Sequence, residues 1–146
     1  MINSDIQIRE MQGTDAMLDN FGILSTLYPE MQRADYARML QEMLPNGYHQ
    51  VAVFEGSRCI GLSGFWINTK LYCGKYIEPD HVVIDPEYRS RGIGKMLCDW
   101  IAAEGLKRGC GTALLDAYVE NADAHRFYFR EGYRIKGFHF LLKLKK

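Results

Sequence analysis

Three groups of residues in this 146-residue chain combine side chains and spacing suited to chemistry. The first is Arg89-Ser90-Arg91-Gly92-Ile93-Gly94-Lys95, which follows an apolar run ending in Val82-Val83-Ile84-Asp85-Pro86 and opens an apolar-periodic stretch. A strand-to-helix junction of this kind exposes backbone N–H groups where the helix's partial positive charge favours phosphate. Gly92 and Gly94 let backbone approach a ligand, and Arg89, Arg91 and Lys95 add charge suited to a polyphosphate. Two familiar phosphate loops are excluded. Lys95 is followed by Met96 rather than Ser or Thr, and Leu97 stands where a dinucleotide fingerprint needs its third glycine.

The second group is Glu78 and Asp80, two carboxylates at a spacing that puts both on one face of a strand. His81 then faces the other way, as a packing histidine. The third group is Asn121-Ala122-Asp123-Ala124-His125-Arg126-Phe127-Tyr128, followed by Glu131-Gly132-Tyr133. Asn121 stands at a helix start, where an N-cap role is natural.

The elements that must position these groups follow from periodicity and breakers. Residues 5–11 alternate at period two and read as a strand. Thr14 offers an N-cap for a helix over 16–27, ended by Pro29, and a second helix runs over about 33–44 until Pro45-Asn46-Gly47. Residues 48–55 and 58–70 flank Gly56-Ser57 as a hairpin, and Cys73-Gly74 makes a second turn. A strand over 75–84 contains Pro79, which predicts a bulge or an end to pairing there. The 89–95 loop leads into an amphipathic helix with Met96, Leu97, Trp100, Ile101 and Leu106, closed by Gly109, and a strand over 112–119, a helix over 121–131 and a strand over 133–144 follow. The order β-α-α-β-β-β-α-β-α-β predicts one α/β domain over 1–146, a mixed sheet with helices packed on it.

Composition narrows the function classes. The 18 basic and 18 acidic side chains cancel, which argues against a nucleic-acid-binding module. The balance hides an asymmetry: residues 1–80 carry 6 basic and 10 acidic side chains, residues 81–146 carry 12 and 8. No apolar run is long enough to span a bilayer, and the first residues lack a secretory pattern. The four cysteines show no CxxC pair or metal-finger spacing, so no metal is expected and a reduced, cytoplasmic setting is.

The RxxGxG loop after its strand, together with the NxxAxxxY segment and its Gly-Tyr, resembles the GNAT (GCN5-related N-acetyltransferase) family, and the likeness runs through nearly the whole chain. The 121–133 segment looks locally like the aminoalkylphosphonate N-acetyltransferases of that family. The resemblance implies an acetyl-CoA-dependent N-acetyltransferase, with a homodimer as the usual assembly. Backbone at Val82, Val83 and Ile84 would pair with the pantetheine arm, in a gap between this strand and the next. The N–H groups of Arg89, Ser90, Arg91, Gly92, Ile93, Gly94 and Lys95 would hold the pyrophosphate, and Asn121 would contact CoA. An N–H near Val82 would polarise the thioester carbonyl. Either Glu78, which matches the family's frequent glutamate, or Asp80 would take the amine's proton while the other binds the ammonium. Tyr128 matches the tyrosine that many members place near the CoA sulfur as an acid.

The acceptor side offers Tyr28, Glu30, Trp66, Tyr72 and Tyr76, an aromatic and acidic set suited to a small cationic amine. A phosphonate-bearing amine would instead want cations such as Arg33 or Arg38. Acetylation of a peptide or protein amine, and a non-catalytic acyl-CoA-binding sensor, are the competing functions; neither membrane nor nucleic acid is expected as a partner.

Overall fold

The computed structural model describes residues 5–146. The described residues fall into two units, 5–115 and 116–146, of which the first holds the sheet. Five strands lie in the order β1-β2-β3-β4-β5: β1 (Ile6–Glu10), β2 (Tyr48–Glu55), β3 (Arg58–Lys70), β4 (Gly74–Ile84) and β5 (Thr112–Ala113). The first four are antiparallel neighbours, and β5 runs parallel to β4. Three helices, α1 (Gly13–Leu18), α2 (Phe21–Leu27) and α3 (Arg33–Met43), supply one face of the core. There Met17, Leu24, Tyr36 and Leu40 pack with Tyr48, Leu62 and Val83. The other face is covered by α4 (Ile93–Lys107), whose Ile93, Leu97 and Ile101 pack with Val51, Val53, Ile60, Phe65 and Ile77. Arg108, just beyond α4, ties that helix to β1 through Glu10 at 2.7 and 2.9 Å, with Glu104 at 2.8 Å.

The mixed α/β architecture agrees with the sequence, but four details differ for physical reasons. The stretch 16–27 is two helices rather than one, and Gln12, not Thr14, precedes the first. The break falls at Asn20, which is 5% exposed and leaves the helical path to donate to Gln50 at 3.2 Å. The irregularity in β4 lies at His81 rather than at Pro79, which stays in register opposite Phe65. Leu62 pairs with Val83 and Gly64 with Asp80, so β4 carries one residue more than β3 across this step, and His81 adopts φ 41°. An inserted residue shifts the alternation by one, so Asp80, His81 and Val83 all turn towards α1–α3. His81 therefore shares a face with Asp80, contrary to regular alternation.

The strand expected over 112–119 is limited to Thr112–Ala113, with Leu114 donating its N–H to the Ile77 carbonyl. In a parallel ladder the next bond would come from the N–H of residue 79. Residue 79 is proline and has none, so the proline ends the β4–β5 ladder. Beyond Ile77, no β5 pairing continues along β4 among the described residues. Finally, the strand expected over 133–144 is absent among the described residues. Alternating side chains specify a pleat but not a neighbour, and a ladder needs both.

The second unit contains α5 (Ala122–Arg130), with Asn121 accepting from the Ala124 N–H at 3.1 Å.

Candidate active site

The acceptor-side cluster starts from the bulge. Asp80 and His81 occupy it, Glu78 lies two residues before Asp80 and pairs in register with Trp66 of β3. The Trp66 indole donates to Asp80 Oδ2 at 3.0 Å, and the His81 backbone N–H donates to Oδ1 at 2.9 Å. The His81 ring sits with Nδ1 3.5 Å from Asp80 Oδ1 and Nε2 2.7 Å from the Tyr48 hydroxyl. Asp80 is half-exposed, whereas the His81 side chain is only 9% exposed. The His81 hydrogen bond, outweighing the opposing cost of partial burial, lowers the Asp80 pKa to about 2, and Trp66 adds to it.

Beneath them lies a buried polar chain. Gln50 Nε2 donates to Tyr36 Oη at 2.8 Å and to Tyr48 Oη at 3.4 Å, and Gln50 Oε1 accepts from Asn20. Gln50 is fully buried and Tyr36 and Tyr48 nearly so. Burial raises the pKa of both phenols, which stay neutral donors. Gly64 makes room for the link to the surface: a Cβ there would overlap His81 Nε2 and would sit 2.7 Å from the Tyr48 hydroxyl. Tyr28 and Tyr48 edge the His81 ring at 6.3 and 5.5 Å between centroids, and Trp66 meets Tyr48 edge-on at 5.1 Å. The result is an aromatic cluster, with Tyr48 buried and Tyr28 and Trp66 partly exposed, beside a half-exposed carboxylate.

Of the expected acceptor-side aromatics, Tyr28 and Trp66 join this cluster. Tyr76 and Tyr72 gather instead around the Lys70 ammonium, at 5.1 and 6.0 Å. Arg38 is held by Asp35 on the exposed side of α3. Sequence reading missed Asn20, Gln50 and Tyr48, and placed His81 on the wrong face. One signal was present, a lone glutamine inside the apolar run Tyr48-His49-Gln50-Val51-Ala52-Val53-Phe54.

The cofactor-side loop is built differently. Asp85 accepts from the Glu87 N–H at 3.0 Å, and Arg58 spans Asp85 and Glu87 at 2.7 and 2.8 Å. Tyr88 is buried, donates to Glu55, and carries the Arg91 guanidinium 5.1 Å above its ring. From this braced base Arg89, Ser90, Arg91 and Gly92 stand exposed. Ser90 and Gly92 take φ of 62° and 82°, and nothing lies within 4 Å of where a Gly92 Cβ would be. No side chain caps α4 at Gly92, so its first-turn N–H groups point into this open cradle. Lys95 is 3.2 Å from Asp99, one turn along the helix. Along β4, Val82 and Ile84 pack towards α4 and Val83 towards α1–α3.

In the second unit Tyr128 packs edge-on against Phe127 and Tyr133 at 5.2 and 5.7 Å, on the helix that Asn121 caps. Among the described residues no group of His, Cys, Asp and Glu is arranged to hold a metal ion. No described helix is long and apolar enough to cross a membrane.

A strand edge left open by a proline, followed by a braced glycine cradle on a helix N-terminus, is a layout for a phosphate-bearing, extended ligand. The sequence model of the acetyltransferase (GNAT) family matches residues 17–133. The chain belongs to this family. It is an acetyl-CoA-dependent N-acetyltransferase. Over 137 residues it is 26% identical to the uncharacterized N-acetyltransferase YhdJ of Bacillus subtilis (strain 168), covering 92% of this chain and 96% of that protein. It is 31% identical over 97 residues to the aminoalkylphosphonate N-acetyltransferase of Salmonella typhimurium, covering 66% of this chain and 62% of the relative. The fold is also that of the aminoglycoside N-acetyltransferase AAC(6')-Iy solved with CoA, with TM-score 0.84, 19% identity, and coverage of 99% and 98%. The cradle at 89–95 fits the pyrophosphate of this GNAT member's co-substrate, since exposed N–H donors and two arginines suit a diphosphate.

Proposed function

We propose that this GNAT enzyme acetylates the primary amine of a small cationic molecule, which attacks acetyl-CoA directly while both are bound. The observation that carries the reading is the two partly exposed aromatic side chains, Tyr28 and Trp66, grouped with the anionic Asp80. Aromatic faces and a fixed carboxylate together favour an ammonium group over a neutral or anionic one. The names of the relatives, an aminoalkylphosphonate and an aminoglycoside N-acetyltransferase, support a small amine as acceptor. Of the arginines a phosphonate would want, Arg38 pairs with Asp35 on the exposed side of α3.

Acetyl-CoA supplies an activated acetyl group as a thioester. The amine must first lose a proton, and a β4 carboxylate takes it. The nitrogen then forms its bond to the acetyl carbon as the carbon–sulfur bond breaks, and the bonding pair leaves with sulfur. Of the two protons the ammonium gives up overall, one ends on sulfur, supplied through Tyr128, and the other reaches solvent. Backbone groups along Val82, Val83 and Ile84 align the thioester, and the 89–95 cradle holds the nucleotide end.

A thiol-release assay with acetyl-CoA against polyamines, aminoglycosides, aminoalkylphosphonates, amino acids and basic peptides tests this. Turnover with a small di- or polycationic amine is expected. Turnover confined to peptides, or CoA binding with no acceptor turned over, overturns it in favour of protein acetylation or a sensor.

A further inference from the structure

The buried polar side chains beneath Asp80 and His81 make a connected chain. Asn20 donates to Gln50, Gln50 donates to Tyr48, and Tyr48 is placed to donate to His81 Nε2. With Nε2 accepting, the ring proton sits on Nδ1 and faces Asp80 Oδ1. Trp66 and the His81 backbone N–H donate to the same carboxylate. The series therefore reaches Asp80, with Gln50 also donating to Tyr36 at 2.8 Å, and none of its members is left with an unsatisfied buried polar atom. His81 reaches this position only through an unusual backbone, φ 41° at a bulge, and only because residue 64 lacks a side chain. Strain at a polar cluster of this kind persists where the surroundings over-determine it.

Building on the N-acetyl-transfer reading, we propose that Asn20, Gln50, Tyr48 and His81 form a positioning chain that holds Asp80 as the permanent anion binding the acceptor's ammonium, which leaves Glu78 to take its proton. The two carboxylates thus divide binding from chemistry. A carboxylate saturated with donors is a poor proton acceptor and a good fixed charge. Tyr48 and His81 act through Asp80 and touch no reacting atom; they set the tautomer and angle at which the carboxylate meets its cation.

The test separates binding from transfer with a cation that cannot react. Benzyltrimethylammonium has a permanent positive charge and no N–H, so its affinity, read by calorimetry on the full chain, reports the anion alone. Asp80→Asn is expected to weaken it tenfold or more, and Tyr48→Phe and His81→Leu threefold to tenfold. His81→Asn, whose amide can still donate to Asp80, restores affinity to within about threefold of the native chain. Glu78→Gln leaves it within twofold. With a turned-over amine, Tyr48→Phe raises KM more than it lowers kcat, whereas Glu78→Gln does the reverse.

No measurable probe binding by the native chain at millimolar concentration overturns the proposal. So does equal binding by Asp80→Asn, or a Glu78→Gln loss as large as that of Asp80→Asn. Circular dichroism on each variant shows whether it is folded, and the His81→Asn rescue stands independently of Tyr48→Phe. Correct probe binding with no acceptor turned over leaves the ammonium site in place and overturns the transfer reading instead.

Discussion

The two ends of β4 solve the problem of holding a charged substrate in opposite ways. At the bulge, charge is specified by side chains: Asp80 is fixed by Trp66 and His81, and His81 by Tyr48 and the amide of Gln50 behind it. At the 89–95 loop it is specified mainly by backbone, an uncapped helix start after two left-handed residues, with arginines added at the exposed rim. A small ammonium needs one anion at a defined point, which only a braced side chain supplies. A diphosphate spreads its charge over many oxygens, and a row of N–H groups meets it without any one residue being decisive. Side-chain substitutions should therefore be costly at the bulge and mild at the loop, while changes to backbone freedom should do the reverse.

The largest effect should come from the bulge side. Glu78→Gln removes the proposed proton acceptor and is expected to lower kcat by about 100-fold or more, the usual range for a general base, with the KM for acetyl-CoA little changed. Steady-state kinetics at saturating amine checks it. A loss under tenfold would place the proton acceptor elsewhere.

The loop side should respond to backbone rather than charge. Gly92→Ala forces a Cβ onto a left-handed residue at a cost of about 1–2 kcal/mol. If the cradle shifts to relieve that strain, the KM for acetyl-CoA rises by about tenfold. Arg89→Ala or Arg91→Ala alone should raise it less than about threefold, because each guanidinium is one exposed contributor among several. Arginine losses larger than the Gly92→Ala loss would mean that side chains carry this end as well.

The contrast also explains what the sequence made legible. The loop could be read directly, because glycines, basic residues and a helix start are local, and local patterns survive in one dimension. From β1 to α4 the α/β order was legible for the same reason, down to the two hairpin turns, apart from the division of 16–27 into two helices. Glu78 and Asp80 were placed on one face correctly. His81 was misplaced, because a bulge is a mismatch between two strands and has no signature in either alone. Pro79 was recognised as a bulge or an end to pairing, and it ends the ladder to β5 while the bulge itself lies at His81. Asn20 stands between α1 and α2 while Gln50 and Tyr48 lie on β2, and only the folded chain brings them together.

A backbone change at the bulge supplies the reciprocal check. Gly64→Ala puts a methyl against His81 and Tyr48, and accommodating it should cost about 1–3 kcal/mol of stability through displaced side chains. Urea unfolding measures this directly. The same variant should weaken amine binding and leave the KM for acetyl-CoA within twofold, since Gly64 touches only the acceptor side. A parallel loss in both constants would show the two ends to be coupled through β4.

The smallest effect is a pH signature of the fixed anion. The Asp80 carboxyl, held at about 2 by His81 and then Trp66, lies below its value of about 3.9 in an unfolded chain. A group whose folded pKa is depressed contributes stability that is complete above its unfolded pKa and is lost as pH falls through the folded one. The Asp80 contribution should thus be intact at pH 5 and fade between about pH 4 and pH 2. Asp80→Asn removes that titration, so the stability gap between native and variant should narrow over this window and stay constant above it. The buried phenols have the opposite sign: Tyr48, raised by burial, contributes below about pH 10, and its contribution is lost as the medium becomes more alkaline. Tyr48→Phe should therefore flatten the alkaline limb and leave the acid limb steep unless the hydroxyl is needed to hold His81 against Asp80. A shallower acid limb in Tyr48→Phe is the expected result, because it requires the hydrogen-bond chain to reach from the buried phenol to the exposed carboxylate.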